Sequence, residues 1–243
     1  MTWLDNLKQD FYINFIQEDR WRYLTSGLGN TLRITFFAVL LGICIGIIIA
    51  IIRSSYDKNR DELRGLPRVL LSIGNAICHV YLAVIRGTPV VVQLMIIYYI
   101  IFSTSRNGVG VATLAFGINS GAYVAENIRA GILSVDIGQT EAGLALGLPY
   151  RTTMLKIVIP QAIKNVIPAI GNELIALIKE TSIVSMIGMF DLTNAAKIIG
   201  SGNNMASYIV PMAVVALFYL AIVYLLTFII KIIEKKLRAS DRR

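Results

Sequence analysis

Long apolar runs alternate with short polar ones along the chain. Five stretches, about 31–52, 69–102, 111–132, 161–186 and 207–231, are dominated by Ile, Leu, Val, Ala and Phe. Each is long enough to cross a hydrocarbon layer as a helix. Lipid offers backbone groups no hydrogen-bond partner, so each crossing is expected to be helical, and the short alternating segments of a lipid-facing barrel are absent. Residues 1–29 set Trp3, Phe11, Tyr12, Phe15, Ile16, Trp21 and Tyr23 among Asp and Lys. They read as an interfacial segment with its rings at headgroup depth, and they lack the apolar stretch of a cleaved leader. Asn30 and Thr31 are placed to start the first spanning helix. Gly42 and Gly46, four apart, would let a neighbouring helix come close.

The second run is the awkward one. As a single helix its 34 residues would reach roughly 50 Å, too long for one upright span. Topological parity decides its path. Residues 53–68 carry Arg53, Lys58, Arg60, Arg64 and Arg68 against Asp57, Asp61 and Glu62, and the C-terminal stretch carries Lys231, Lys235, Lys236, Arg238, Arg242 and Arg243. Basic flanks of this kind stay in the cytoplasm. If residues 136–160 lie there too, residues 69–102 make one crossing and residues 111–132 the return. A tilted or shallow helix over 69–85, a break at Gly87-Thr88-Pro89 and a crossing proper over Val90–Phe102 satisfy that count. Pro89 has no N–H to donate, and Gly87 is flexible. The expected organisation is an interfacial segment 1–29, a transmembrane domain 30–231 and a basic cytoplasmic tail 232–243. Residues 187–206 form a Gly/Asn-rich extracytoplasmic loop. The N-terminus is outside, the C-terminus is cytoplasmic, and the protein is multi-pass in the inner or plasma membrane.

Composition agrees: 56% of the 243 residues are hydrophobic, and the mean hydropathy is +0.66. The net charge of +8 does not point to nucleic acid, because the basic residues flank spans instead of forming one patch. Cys44 and Cys78 lie in apolar stretches and read as small core residues. The single histidine, His79, has no neighbouring ligand residue, so no metal site is expected.

Between the third and fourth runs lies a polar stretch, Glu141-Ala142-Gly143-Leu144-Ala145-Leu146-Gly147-Leu148-Pro149, opened by Asp136, Gln139 and Thr140. Its spacing predicts a short amphipathic helix closed by Gly147 and Pro149. Glu141-Ala142-Gly143, then Gly147, then Ile157 and Ile159-Pro160 resemble the EAA loop of ABC importer permeases, with Gly143 for the second Ala and Ile159 for Leu. The resemblance extends to Arg86-Gly87-Thr88-Pro89, to Ala122-Tyr123-Val124-Ala125-Glu126 with Arg129, and to Lys179-Glu180-Thr181-Ser182, in the manner of the polar amino acid branch. It covers roughly residues 21–230.

That resemblance implies an all-α integral membrane protein, the five-span transmembrane domain of a type I ABC importer with a cytoplasmic coupling helix. It implies that residues 136–150 fit a groove on a separate ATPase subunit, with Glu141, Ala142, Gly143, Gly147 and Pro160 as the coupling residues. It also implies a second permease subunit, a copy or a paralogue, and an extracytoplasmic substrate-binding protein. The only other partner expected is membrane lipid. The chain has no G-x-x-x-x-G-K-[ST] loop, so ATP is expected on the partner and no cofactor on this chain. It has neither H-E-x-x-H nor G-x-S-x-G, so no catalytic residue is expected. An ion-gradient-driven amino acid transporter is the alternative. It would favour an internal repeat, which is not evident.

Glu126 stands out. A carboxylate at mid-depth in a membrane helix costs roughly 2.5–3.5 kcal/mol on insertion scales, so it faces a cavity or a partner. One reading pairs it with Arg129, one turn on. The other has it attract the ammonium or cationic side chain of an amino acid, with Asn119 on the same face and Gln93 meeting it from the second run. Asn165, Asn172 and Lys179 repeat every seven residues and read as interhelical hydrogen-bonding groups. Arg86 is given no role by spacing.

Overall fold

A 39-residue helix, α2 (Trp21–Asn59), forms the spine of the structure at roughly 58 Å. The computed structural model describes residues 3–60, 62–201 and 208–239. The side chain of Trp3, Asp61, residues 202–206 of the expected loop, and Arg242 and Arg243 of the tail lie outside the described residues. All secondary structure among the described residues is helical. The order is α1 (Trp3–Phe11), α2, α3 (Leu66–Gly87), α4 (Val90–Ile96, prolonged by a wide turn to Ile101), α5 (Gly108–Leu133), α6 (Ile137–Ala145), α7 (Tyr150–Thr153, running on into) α8 (Ile159–Glu180), α9 (Leu192–Gly200) and α10 (Ile209–Ala239). Five of the helical stretches, 21–59, 66–87, 108–133, 150–187 and 209–239, are long and apolar enough to cross a membrane.

The first of these begins ten residues before the expected start. No residue between Trp21 and Asn30 stops a helix, and Gly27 is tolerated because the backbone of Asp191 lies against it; a Cβ there would come within 2.6 Å of the Asp191 carbonyl oxygen. Asn30 and Thr31 therefore do not start the helix. They hold the chain at 190–192 instead: Asn30 Nδ2 donates to the Phe190 carbonyl (2.9 Å), and Thr31 Oγ1 accepts from Leu192 N (3.2 Å). Phe11, Tyr12, Ile16, Trp21 and Tyr23 are exposed, but Phe15 is buried in a cluster with Leu24, Leu192, Ala195, Ile199 and Val215.

The expected loop at 187–206 contains a helix, α9. The buried Asp191 carboxylate caps it, accepting from Thr193 N (3.1 Å) and Asn194 N (2.7 Å). Burial pushes that carboxyl's pKa up, against the pull of those two N–H groups.

Helices α2 and α5 run parallel along a seam of small residues. A Cβ on Gly42 would meet Ser120 Oγ at 2.8 Å, and one on Gly46 would meet Val124 Cγ1 at 2.6 Å. The partner helix mirrors this. Gly117 faces Leu41 at 2.6 Å and Gly121 faces Ile45 at 2.7 Å, so each helix contributes a G-x-x-x-G run. Gly46→Leu is expected to destabilise the chain by roughly 1–3 kcal/mol, as overpacking does elsewhere. The unfolding midpoint in detergent should fall; an unchanged midpoint would show that the seam is not tight. Helix α8 runs the other way. Val166 lies against Gly131, whereas Leu177 joins Phe116, Ile34, Ala38 and Leu94 in the central core.

The second run makes one passage in two pieces. Gly74 lies against Ile52 near the end of α2, Cys78 and Leu82 pack with Ile49, Ala122 and Ala125, and Leu94 sits in the central core with Ile34 and Ala115. α3 is longer at both ends than the expected 69–85, with 22 residues over Leu66–Gly87, and Leu70, Ile73, Ile77, Val80 and Val84 face outward. Such an apolar face is at rest only against lipid or another subunit. Cys44 is likewise exposed and not a core residue; Cys78 is buried. α2, α5 and α10 end at the same end of the bundle, which carries Lys58, Arg60, Arg64, Arg68, Lys235, Lys236 and Arg238 and is called the basic end below.

Candidate functional site

Two features combine backbone irregularity with charge: the break after α3 and the corner around α6. α3 stops at Gly87, Thr88 is extended, and Pro89 opens α4 with φ −64°. A break inside a spanning segment frees carbonyls that water cannot reach unless they line a cavity. Here side chains take them. Thr88 Oγ1 donates to Val84 O (2.7 Å), and Gln93 Nε2 donates to Ile85 O (2.8 Å) and Thr88 O (3.1 Å). Gln93 Oε1 in turn accepts from Asn119 Nδ2 (2.9 Å). Both amides are buried. The structure thus brings Gln93 and Asn119 together, and the bonds that Gln93 makes to Ile85 and Thr88 fix the break.

Glu126 lies further along α5, beside a cleft of about 570 Å³ walled by Arg53, His79, Leu82, Ala83, Arg86 and Tyr123. Its Oε1 accepts from Arg53 Nη1 at 2.7 Å, and its Oε2 is 3.8 Å from Arg86 Nη1. The Arg86 guanidinium carbon is 5.8 Å from the centre of the Tyr123 ring. The expected pairing of Glu126 with Arg129 is not made. Arg129 turns to Asp57 (3.4 Å), because α2 runs alongside α5 and supplies cations and anions of its own. Arg53 is the residue that sequence reasoning misses. The signal that finds it is the pair of G-x-x-x-G runs, which sets α2 and α5 parallel and brings Arg53 and Asp57 to the end that holds Glu126 and Arg129.

At the basic end, α6 follows α5 after a three-residue turn. Asp136 caps it by accepting from Gly138 N (2.7 Å). Gly147, at φ +76°, reverses the chain after it, with Leu148 N donating to Gly143 O (3.1 Å). Gly143 is where α6 touches α7: a Cβ there would lie 2.5 Å from Thr153 Cγ2, tighter than the alanine usual in the EAA motif would allow. Glu141 and Ala142 are exposed, together with Ile137, Leu144 and Leu146, the last 81% accessible. Pro160 lies elsewhere, in the first turn of α8. Three links tie this corner to the bundle. Lys58 Nζ sits 3.3 Å over the Tyr150 ring, Gln161 Nε2 donates to Gln139 Oε1 (3.3 Å), and Asn165 Nδ2 donates to Ser134 Oγ (2.8 Å).

Residues 68–239 match the family model described as binding-protein-dependent transport system inner membrane component. The chain is 37% identical over 222 residues to the arginine transport system permease protein ArtQ of Bacillus subtilis, covering 90% of this chain and 94% of that one. It is 36% identical over 211 residues to the glutamine transport system permease protein GlnP of Escherichia coli, covering 85% and 90%. Among solved structures, an amino acid ABC transporter crystallised with histidines superposes with a TM-score of 0.77 at 37% identity, over 88% of this chain and 94% of that one. The MetNI methionine ABC transporter superposes at 0.71 with 20% identity, over 90% and 98%, a likeness of fold.

Proposed function

The chain belongs to the family of binding-protein-dependent transport system inner membrane components, and on that premise we propose that it is the permease subunit of an ATP-driven importer of a polar amino acid. The observation that carries the proposal is α6. A capped helix outside the spanning segments presents Glu141 and Ala142 among exposed Ile137, Leu144 and Leu146. A water-exposed apolar face around one carboxylate suits a protein groove. The groove belongs to a separate ATPase subunit, which binds and hydrolyses ATP. Gly143 and Gly147 shape the docking corner, and Pro160 starts the helix that leads from it. This places the basic end and the C-terminus in the cytoplasm and the N-terminus outside, in line with the charge asymmetry. A substrate-binding protein delivers to the α9 end, and a second permease subunit, a copy or a paralogue, closes the pathway.

Solute passes beside Glu126, at the level of the helix break that Gln93 and Asn119 maintain. Closure of the ATPase subunits moves α6, and Lys58 on Tyr150 passes that movement to α2 and so to Arg53 and Glu126. Uptake of labelled L-arginine and L-glutamine by cells carrying the complete transporter tests the reading. Uptake should stop when ATP is depleted and persist when the ion gradients are collapsed. The opposite pattern would overturn it.

A further inference from the structure

The cleft beside the helix break has more positive charge than its one carboxylate uses. Among the described residues, Glu126 is the one carboxylate that Arg53 and Arg86 approach, Arg86 also lies near the Tyr123 ring, and the two guanidinium groups are held very differently. Arg53 makes a 2.7 Å bond and keeps 13% of its side chain exposed. Arg86 is 3.8 Å from the carboxylate, beyond hydrogen-bond reach, and 47% exposed at the wall of the cleft. Its five N–H donors form a planar fork that matches a carboxylate in two parallel bonds. The backbone holds it there: Arg86 is in the last turn of α3, whose carbonyls are fixed by Thr88 and Gln93. The cleft, about 570 Å³, is of the size that takes a small solute.

We infer that Arg86, backed by Arg53, receives the α-carboxylate of the transported amino acid, and that the Oε2 edge of Glu126 faces its ammonium group. This rests on the amino acid permease reading above and adds to it the part of the substrate that the cleft reads. The backbone-like head of the solute is held here, and the side chain is left to face the open part of the cleft. A lipid phosphate is the other anion two guanidinium groups would hold. The depth of Glu126 favours the solute: Gly46 meets Val124 two residues before it, so the carboxylate lies about one turn inside the apolar run of α2 that ends at Ile52, and Arg53 reaches it from just beyond that run. A headgroup phosphate sits at the edge of the hydrocarbon, whereas a solute crossing the membrane must pass this level.

The test uses the full chain in detergent, with binding followed by isothermal titration and by thermal stabilisation. The probes are L-arginine, L-glutamine, their α-amides and phosphatidylglycerol. The free acids should bind and the amides should bind roughly ten- to a hundred-fold more weakly, the loss expected for one charge-assisted pair. Arg86→Gln should weaken the acids by a similar factor, leave the amides where they were and so abolish the preference. Arg86→Lys, which keeps the charge without the fork, should fall between. Equal binding of acid and amide by the natural chain would overturn the inference, whatever the variants do. So would a preference that survives Arg86→Gln, or saturation by phosphatidylglycerol with no response to either acid. Failure of the permease reading is a separate result: cells carrying the complete transporter would then accumulate neither amino acid in an ATP-dependent way.

Discussion

Glu141→Lys is expected to abolish ATP-driven uptake while the chain still inserts in the membrane at the natural level. Glu141 is exposed on α6, whereas Gly143, buried on the same helix, lies against Thr153 of α7. Lysine has a helix propensity close to that of glutamate, so the helix should survive the change. What changes is the surface shown to the ATPase: one carboxylate among Ile137, Leu144 and Leu146 becomes a cation at an end of the bundle already rich in Lys and Arg. A like-charge contact at a protein interface costs several kcal/mol, enough to weaken docking by roughly a hundred-fold or more. The measurement is co-purification of the ATPase subunit with the variant, beside uptake in the same cells. Co-purification and uptake both at the natural level would remove α6 from the transmission path.

The neighbouring change Gly143→Leu separates contact from shape. Its side chain would run into Thr153, which is buried, and α6 would have to lift from α7. Uptake should fail here too, although the exposed face of α6 is chemically unchanged. The pair of variants thus distinguishes a face that touches the motor from a corner that holds the face in place.

The corner was legible in the sequence because its signals are local. Asp136 ahead of the helix, Gly147 and Pro149 after it, and the small residue at 143 all act within a few positions of where they stand. The same holds for the break at Gly87-Thr88-Pro89, where a missing N–H and an extended residue suffice. What could not be read there depends on partners far along the chain. Arg53 and Glu126 are 73 positions apart. Arg129, only three from Glu126, is the obvious guess, yet Asp57 claims it. The start of α2 was missed for the same reason. Asn30 and Thr31 look like helix starters, and only the return of the chain at 190–192 gives their side chains another use. Gln93 and Asn119 look like polar groups in search of a solute until the broken end of α3 is seen to need them. A buried polar residue in a membrane helix announces a partner, and whether that partner is a ligand or a carbonyl is a tertiary matter.

The Glu126 pairing gives the largest expected effect on stability. Arg53→Met should destabilise the chain by roughly 1.5–3 kcal/mol, the range for a hydrogen bond to a charged group. That is below the roughly 3–5 kcal/mol for breaking a fully buried pair, because Glu126 keeps a third of its side chain exposed to the cleft. Arg129→Met should cost far less, since its bond to Asp57 joins side chains that are 36% and 57% exposed, where ion pairs contribute little. If Arg129 were the true partner, the order would reverse. The decisive measurement is a double-mutant cycle. Arg53→Met leaves Glu126 with only the looser 3.8 Å approach of Arg86, and Glu126→Gln placed on it removes that under-paired charge, so the double variant should recover part of the stability lost by Arg53→Met alone. Its unfolding midpoint in detergent should lie above that of the single variant, whereas Glu126→Gln on Arg129→Met should give no such recovery. Additive losses at Arg53 and Glu126 would mean that the 2.7 Å contact is not an energetic coupling, and that the cleft is held open by packing alone.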